Sequence, residues 1–454
     1  MTLPNPHRIK LEFKRLTLHG LPLVGAQVLG FSAAIVDSFV AGKLGPTELA
    51  AGGTGGALLF IFQVISFGMV AGLAPWLGQL LGQRRPEAAT ALLVQGHWFA
   101  LLLGAVALSG HLLMIGFVDQ MGFEPAVTYE VKRYLWAASL AIPFSAMLSA
   151  TKAWFEVSAN GMIVVYVQLI GIAVNLFGNF GLGLGMFGLP KMGMAGIGLT
   201  TALVHAAMAI SILWFMIRGG KKIRPKALSI AAPQLITMLQ IGRRSLPIFT
   251  NIMFETSMFI ATALLIARVS TIDAAAHTIA ANVSALCFMI PLGLSQAVVA
   301  RVALAHGRQI YSLLIRRIQV SILAALVVAT ATCLLIALAR YEMASIFTDS
   351  EEVRELAAIL LIFAALFQLS DSVQVTLNAI LRALNDTTVP MLISGFGYWA
   401  IGVALGALLD KTYQMGAQGY WIGLLSGLTM AAVLLTVRLV FTLRQTRKNY
   451  EIPG

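Results

Sequence analysis

Residues 16–41 read LTLHGLPLVGAQVLGFSAAIVDSFVA, a run long and apolar enough to cross a bilayer that carries no Lys or Arg, one acid at Asp37 and one proline at Pro22. A carboxylate in such a segment costs about 2.5–3.5 kcal/mol on the insertion scale, so it turns toward protein or water rather than lipid. Two readings of Asp37 stand. It is either a functional group or a polar contact near the helix end that reaches the interface or ties two helices together. Its position four residues inside the Ala41–Lys43 exit, with no basic residue one turn away, favours function.

The rest of the chain repeats this character. Of its 454 residues 58% are hydrophobic and only 11% charged, with a mean hydropathy of +0.85, which excludes a soluble globular protein. Both cysteines, Cys287 and Cys333, fall inside apolar runs, so no disulfide framework or Cys-based metal site is expected. Arg8, Lys10, Lys14 and Arg15 precede the first apolar run and imitate a signal peptide. That run is too long for a signal peptide, contains Asp37 and lacks a cleavage site, so it reads as a retained span.

On a ruler of about twenty apolar residues per crossing, twelve spans are expected near 16–41, 48–76, 88–117, 131–153, 160–186, 194–217, 244–267, 274–304, 313–338, 356–381, 388–409 and 417–443. With the N-terminus inside, 23 of the 31 Lys and Arg fall on one side. The net charge of +12 is therefore a topology signal that places both termini in the cytoplasm, and it does not point to nucleic acid. A basic stretch near 218–240 separates two halves, 1–225 and 226–454.

Sliding the sequence by 225 residues places Leu21-Pro22 on Leu246-Pro247, Lys43 on Arg268, Glu48 on Asp273, Gly68 on Gly293 and Asn160 on Asn385. Six spans per half give both halves one orientation, so the repeat is parallel, the arrangement of many alternating-access carriers. The functional acids break it. Asp37 falls on Thr262 and Glu255 on Gly30, which implies two unlike sites.

At about 1.5 Å per residue, Asp37 on the first span and Asn175 and Asn179 on the fifth reach a similar depth. The two asparagines are i,i+4 neighbours on one face. They form either a shared site with Asp37 or ordinary interhelical hydrogen bonds. Glu255 on the seventh span and Asp371 on the tenth run in opposite directions and also meet in depth. Two carboxyls in a low-dielectric cavity hold a proton or share a cation, unless they form a permanently protonated structural pair. His97, His111, His205 and His277 make no metal-spaced pair. The Gly-rich run at 178–188 lies within a span and reads as close helix packing, not as a nucleotide loop.

The stretch Ile35-Val36-Asp37-Ser38-Phe39-Val40-Ala41-Gly42, the pair Phe254-Glu255, the stretch Gln368-Leu369-Ser370-Asp371-Ser372-Val373-Gln374-Val375 and the motif Gly416-Ala417-Gln418-Gly419 resemble the NorM-like branch of the multidrug and toxic compound extrusion (MATE) transporters. The resemblance covers essentially the whole chain. It implies an all-α integral membrane protein of two six-helix lobes in a V, in a bacterial inner membrane, monomeric and without a cofactor. It also implies export of amphipathic, often cationic drugs by antiport with H+ or Na+, and no enzymatic activity. Asp37, Asn175 and Asn179 would be the N-lobe cation or proton site, Glu255 and Asp371 a C-lobe site, either of them a place for Na+. Pro22 would be a bend coupled to Asp37. The sequence departs from the family at Phe367, where some members carry a tyrosine four residues before the helix-ten aspartate. That weakens Na+ binding there and favours protons at Asp37. Two alternatives are a flippase for lipid-linked oligosaccharides, which would need basic groups in its cavity, and a prenyl-phosphate-type membrane enzyme, which would need clustered acids.

Overall fold

The computed structural model describes residues 6–220, 225–226 and 231–451; of the expected linker, 221–224 and 227–230 lie outside the described residues. The described residues form helices and connecting loops, with no strand. They divide into two compact units, Gly25–Phe249 and Met1–Val24 joined with Thr250–Gly454.

Two long helices contribute to both units. The first part of α1 (Pro6–Leu44) belongs to the C-terminal unit, and the first part of α9 (Leu235–Ile266) belongs to the N-terminal one. The changeovers at 24/25 and 249/250 lie 225 residues apart, so the exchange follows the internal repeat. The packing thus divides the chain within these two helices.

The N-terminal unit continues with α2 (Pro46–Gly68), α3 (Leu73–Gly82), α4 (Pro86–Phe117), α5 (Pro125–Ala138), α6 (Ala141–Val157), α7 (Gly161–Gly178) and α8 (Met194–Arg218). Its core joins Val40 and Ala41 of α1 to Leu59, Leu135, Ile142 and Ile197. The C-terminal unit contains α10 (Thr271–Gly307), α11 (Tyr311–Leu338), α12 (Arg340–Phe347), α13 (Glu351–Ala383), α14 (Thr388–Gly395), α15 (Ala404–Tyr413) and α16 (Gly416–Glu451). There α13 packs against α10, α11 and α16.

Among the described residues eleven helical runs are long and apolar enough to cross a membrane, and the bent pair α5 and α6, inclined at 45°, makes twelve when taken as one span. The fold is thus an all-α, twelve-span membrane protein. Two expected continuous spans are interrupted, and proline explains both. Pro143 has no N–H for the Ser139 carbonyl and Pro75 none for the Ala71 carbonyl, so the chain breaks between α5 and α6 and between α2 and α3. By contrast, α1, α9 and α10 run unbroken through Pro22, Pro247 and Pro291.

Glu48 and Asp273, matched by the repeat, sit in the first turns of α2 and α10, where an acid complements the helix dipole. Ser270 caps α10, accepting from the Asp273 N–H at 2.9 Å. These repeated acids serve the scaffold.

Candidate functional site

In the N-terminal unit the structure brings Asp37, Asn175 and Asn179 together. Oδ1 of Asp37 accepts hydrogen bonds from Nδ2 of Asn175 at 2.8 Å and from Nδ2 of Asn179 at 2.6 Å. Both asparagines are fully enclosed, whereas Asp37 is half-buried. Their Oδ1 atoms are buried without a hydrogen-bond partner among the described residues. The second carboxylate oxygen and two carboxamide oxygens therefore form a set of acceptors, suited chemically to a proton on Asp37 or to a small hard cation.

Local helix geometry sets this arrangement. Beyond Gly178 the backbone of α7 widens into a π-helical turn, Asn179–Gly183, a local irregularity frequent at functional sites. Gly178 permits a close approach to α8: a Cβ there would lie 2.6 Å from the Thr200 side chain. The Gly-rich run thus serves helix packing, as its spacing suggested. Tyr134, buried on α5, lies beside Thr201 and within electrostatic reach of Asp37. Thr201 in turn supplies its carbonyl to His205 at 2.9 Å. The sequence reading missed Tyr134 and Thr201, since an uncharged polar group in an apolar span is indistinguishable there from a packing residue.

In the C-terminal unit Glu255 on α9 and Asp371 on α13 lie close enough to interact electrostatically, with Arg382 within reach of Glu255. Asp371 is buried, and its Oδ2 has no hydrogen-bond partner among the described residues. Tyr398 is near both acids. It stands in a second π-helical segment, Phe396–Val403, between α14 and α15, and its hydroxyl accepts a 2.6 Å hydrogen bond from Nε2 of Gln374. Phe367 instead packs its ring against Phe259 and Trp421, with centroids 6.0 and 6.2 Å away. A phenolic oxygen thus enters this pocket from a different helix, and neither Tyr398 nor Gln374 was anticipated as a site residue.

His97 and His205 are occupied locally. His97 bonds the Leu93 carbonyl at 2.8 Å and Thr151 at 2.9 Å, and His205 lies 3.3 Å from Gln63. Among the described residues no group of three or more His, Cys, Asp and Glu side chains has metal-holding geometry.

Comparison with known proteins bears on the whole chain. A probable multidrug resistance protein NorM of Idiomarina loihiensis is 32% identical over 447 residues, covering 97% of this chain and 96% of its own length. A second such protein, of Shewanella oneidensis, is 33% identical over 436 residues, 94% of each. The crystal structure of a eukaryotic MATE transporter, AtDTX14, superposes with a TM-score of 0.86 over 97% of this chain and 99% of that one; at 17% identity the likeness concerns the fold. The MatE family model matches twice, over residues 22–180 and 247–408, and its two starts are separated by the 225 residues of the internal repeat. Near-complete relatives, a shared fold and this doubled match make the chain a member of the MatE family of multidrug and toxic compound extrusion transporters.

Proposed function

We propose that this chain exports amphipathic, often cationic compounds across a bacterial inner membrane, with both termini cytoplasmic, by antiport against H+ at Asp37. The observation that carries the reading is the carboxylate of Asp37 held through one oxygen by two buried carboxamides. The other oxygen is left for a proton. Ionised, Asp37 supplies the counter-charge for a cation; protonated from outside, it loses that attraction and the cation leaves. The proton departs to the cytoplasm once the two units alternate their access.

Na+ is the second reading, favoured by the orphaned carboxamide oxygens beside Asp37 and by the unpartnered Oδ2 of Asp371 beside Glu255. Membership of a transporter family sets aside the membrane-enzyme alternative.

The test is efflux of a fluorescent cationic dye from vesicles reconstituted with wild type or Asp37→Asn, under a pH gradient and a Na+ gradient imposed separately. Efflux driven by pH alone and lost in the variant supports proton antiport at Asp37. Na+-driven efflux that survives the substitution moves coupling to Glu255 and Asp371. No efflux under either gradient returns the flippase.

A further inference from the structure

In the C-terminal unit a carboxylate is outnumbered by guanidinium groups inside the protein. Glu12, on the first part of α1, is almost fully buried. Its Oε2 accepts from Nη2 of Arg301 near the end of α10 and lies 3.6 Å from Nε of Arg317 near the start of α11. Its Oε1 accepts from Nη1 of Arg15 at 3.2 Å. Arg317 also donates from Nη1 to the Arg301 carbonyl, and Arg308 lies within electrostatic reach of it.

One carboxylate therefore faces Arg15, Arg301 and Arg317, with Arg308 a further positive charge in reach of Arg317. Arg301 and Arg317 are only 14% and 10% exposed, so solvent screens their mutual repulsion poorly. The Nε atoms of Arg316 and Arg317 are buried without a hydrogen-bond partner among the described residues. This cluster is short of negative charge and of acceptors at once. A tetrahedral oxyanion supplies both, because its oxygens match the guanidinium fork.

We infer that Arg15, Arg301, Arg308 and Arg317, ordered by Glu12, form a binding site for a phosphate group. Its position on the side where Lys and Arg accumulate makes the headgroup of an anionic phospholipid one source, and soluble phosphate is the other. The occupant would secure the beginning of α1 to α10 and α11, independently of transport.

The experiment uses the purified full chain in detergent and follows the thermal unfolding midpoint and binding of a fluorescent phosphatidylglycerol. Phosphatidylglycerol, phosphatidylcholine and inorganic phosphate at matched ionic strength are added in turn. Arg308→Gln, at an exposed position that leaves the fold intact, and Arg317→Gln are each expected to weaken phosphate-group binding about tenfold, the scale of one lost charge-assisted hydrogen bond. Arg354→Gln, in a separate pairing with Glu351, is expected to leave it unchanged. A response to phosphatidylglycerol alone identifies the lipid headgroup, and one to inorganic phosphate identifies the soluble anion. No selective response over phosphatidylcholine and chloride, or equal weakening in Arg354→Gln, overturns the site.

Discussion

The polar pocket around Asp37 and the one around Glu255 and Asp371 occupy two units built on one repeat, yet they solve different problems. In the N-terminal unit one acid is matched by two carboxamide donors, and no second acid shares its oxygens. In the C-terminal unit two acids face each other, an arginine stands nearby, and a phenol is held by Gln374. The scaffold under each pocket is shared: both π-helical segments, Asn179–Gly183 and Phe396–Val403, lie in the fifth crossing of their half. The two segments do not overlap in the repeat, since Asn179–Gly183 falls on 404–408, so each half bends this crossing at its own place while the side chains around it differ. The acids that the repeat did keep, Glu48 and Asp273, stabilise helix starts.

If the N-terminal pocket alone couples transport, Asp37→Asn has the largest effect, reducing pH-driven dye efflux to that of empty vesicles with the protein still folded. Retained efflux breaks the assignment of coupling to this unit. Removing the carboxamides one at a time sharpens it. Asn175→Ala and Asn179→Ala each delete one hydrogen bond to a charged oxygen, a loss of about 1.5–3 kcal/mol. Each is expected to lower efflux about tenfold, and the double variant to do less than multiply the two, because the asparagines hold the same oxygen. Gln374→Ala, in the other pocket, serves as the contrast and leaves pH-driven efflux near wild type.

Much of this was legible in the sequence, and the exceptions have causes. Lipid demands about twenty apolar residues per crossing, so twelve spans could be read directly, and an acid such as Asp37 stands out in an apolar run. Asn175 and Asn179 were legible because four residues make one helical turn. Tyr398 and Gln374 were not, since an uncharged polar residue in a span acquires a role only from what the other helices bring to it. The burial of Arg301 and Arg317 was not legible either, for the opposite reason. Counting basic residues by side treats them as loop charges, whereas the structure buries them beside Glu12. Nor does hydropathy reveal that α1 and α9 change units partway along.

Helix approach separates the units next. Position 178 is Gly against Thr200, while its repeat equivalent is Val403. Gly178→Ala drives a methyl into Thr200 and is expected to cost about 1–3 kcal/mol, seen as a lower unfolding midpoint together with weaker efflux as Asn179 shifts. Gly53→Ala, on α2 with open space around it, is expected to be neutral or slightly stabilising. Equal destabilisation by both would mean that the close approach under Asn179 has no special part in shaping the pocket.

The smallest effect, on stability alone, is expected at Asp371. This carboxyl is enclosed beside Glu255 and has an oxygen without a partner among the described residues, so in the folded state it must either retain a proton or bear a poorly solvated charge. An asparagine fills the same volume and needs neither. Asp371→Asn is therefore expected to raise the unfolding midpoint at pH 8 by about 1–2 °C per kcal/mol recovered, since a long chain has a large unfolding entropy. Asp37→Asn should leave that midpoint almost unchanged, because Asp37 has no acid across from it and an asparagine oxygen accepts the same two bonds. The opposite outcome, with Asp371→Asn destabilising and Asp37→Asn stabilising, would assign the charge conflict to the N-terminal unit and reverse the contrast between the pockets. A rise at Asp371 accompanied by intact pH-driven efflux would make the C-terminal acids a reserve of unfavourable charge, kept for a second ion or for the exported cation itself.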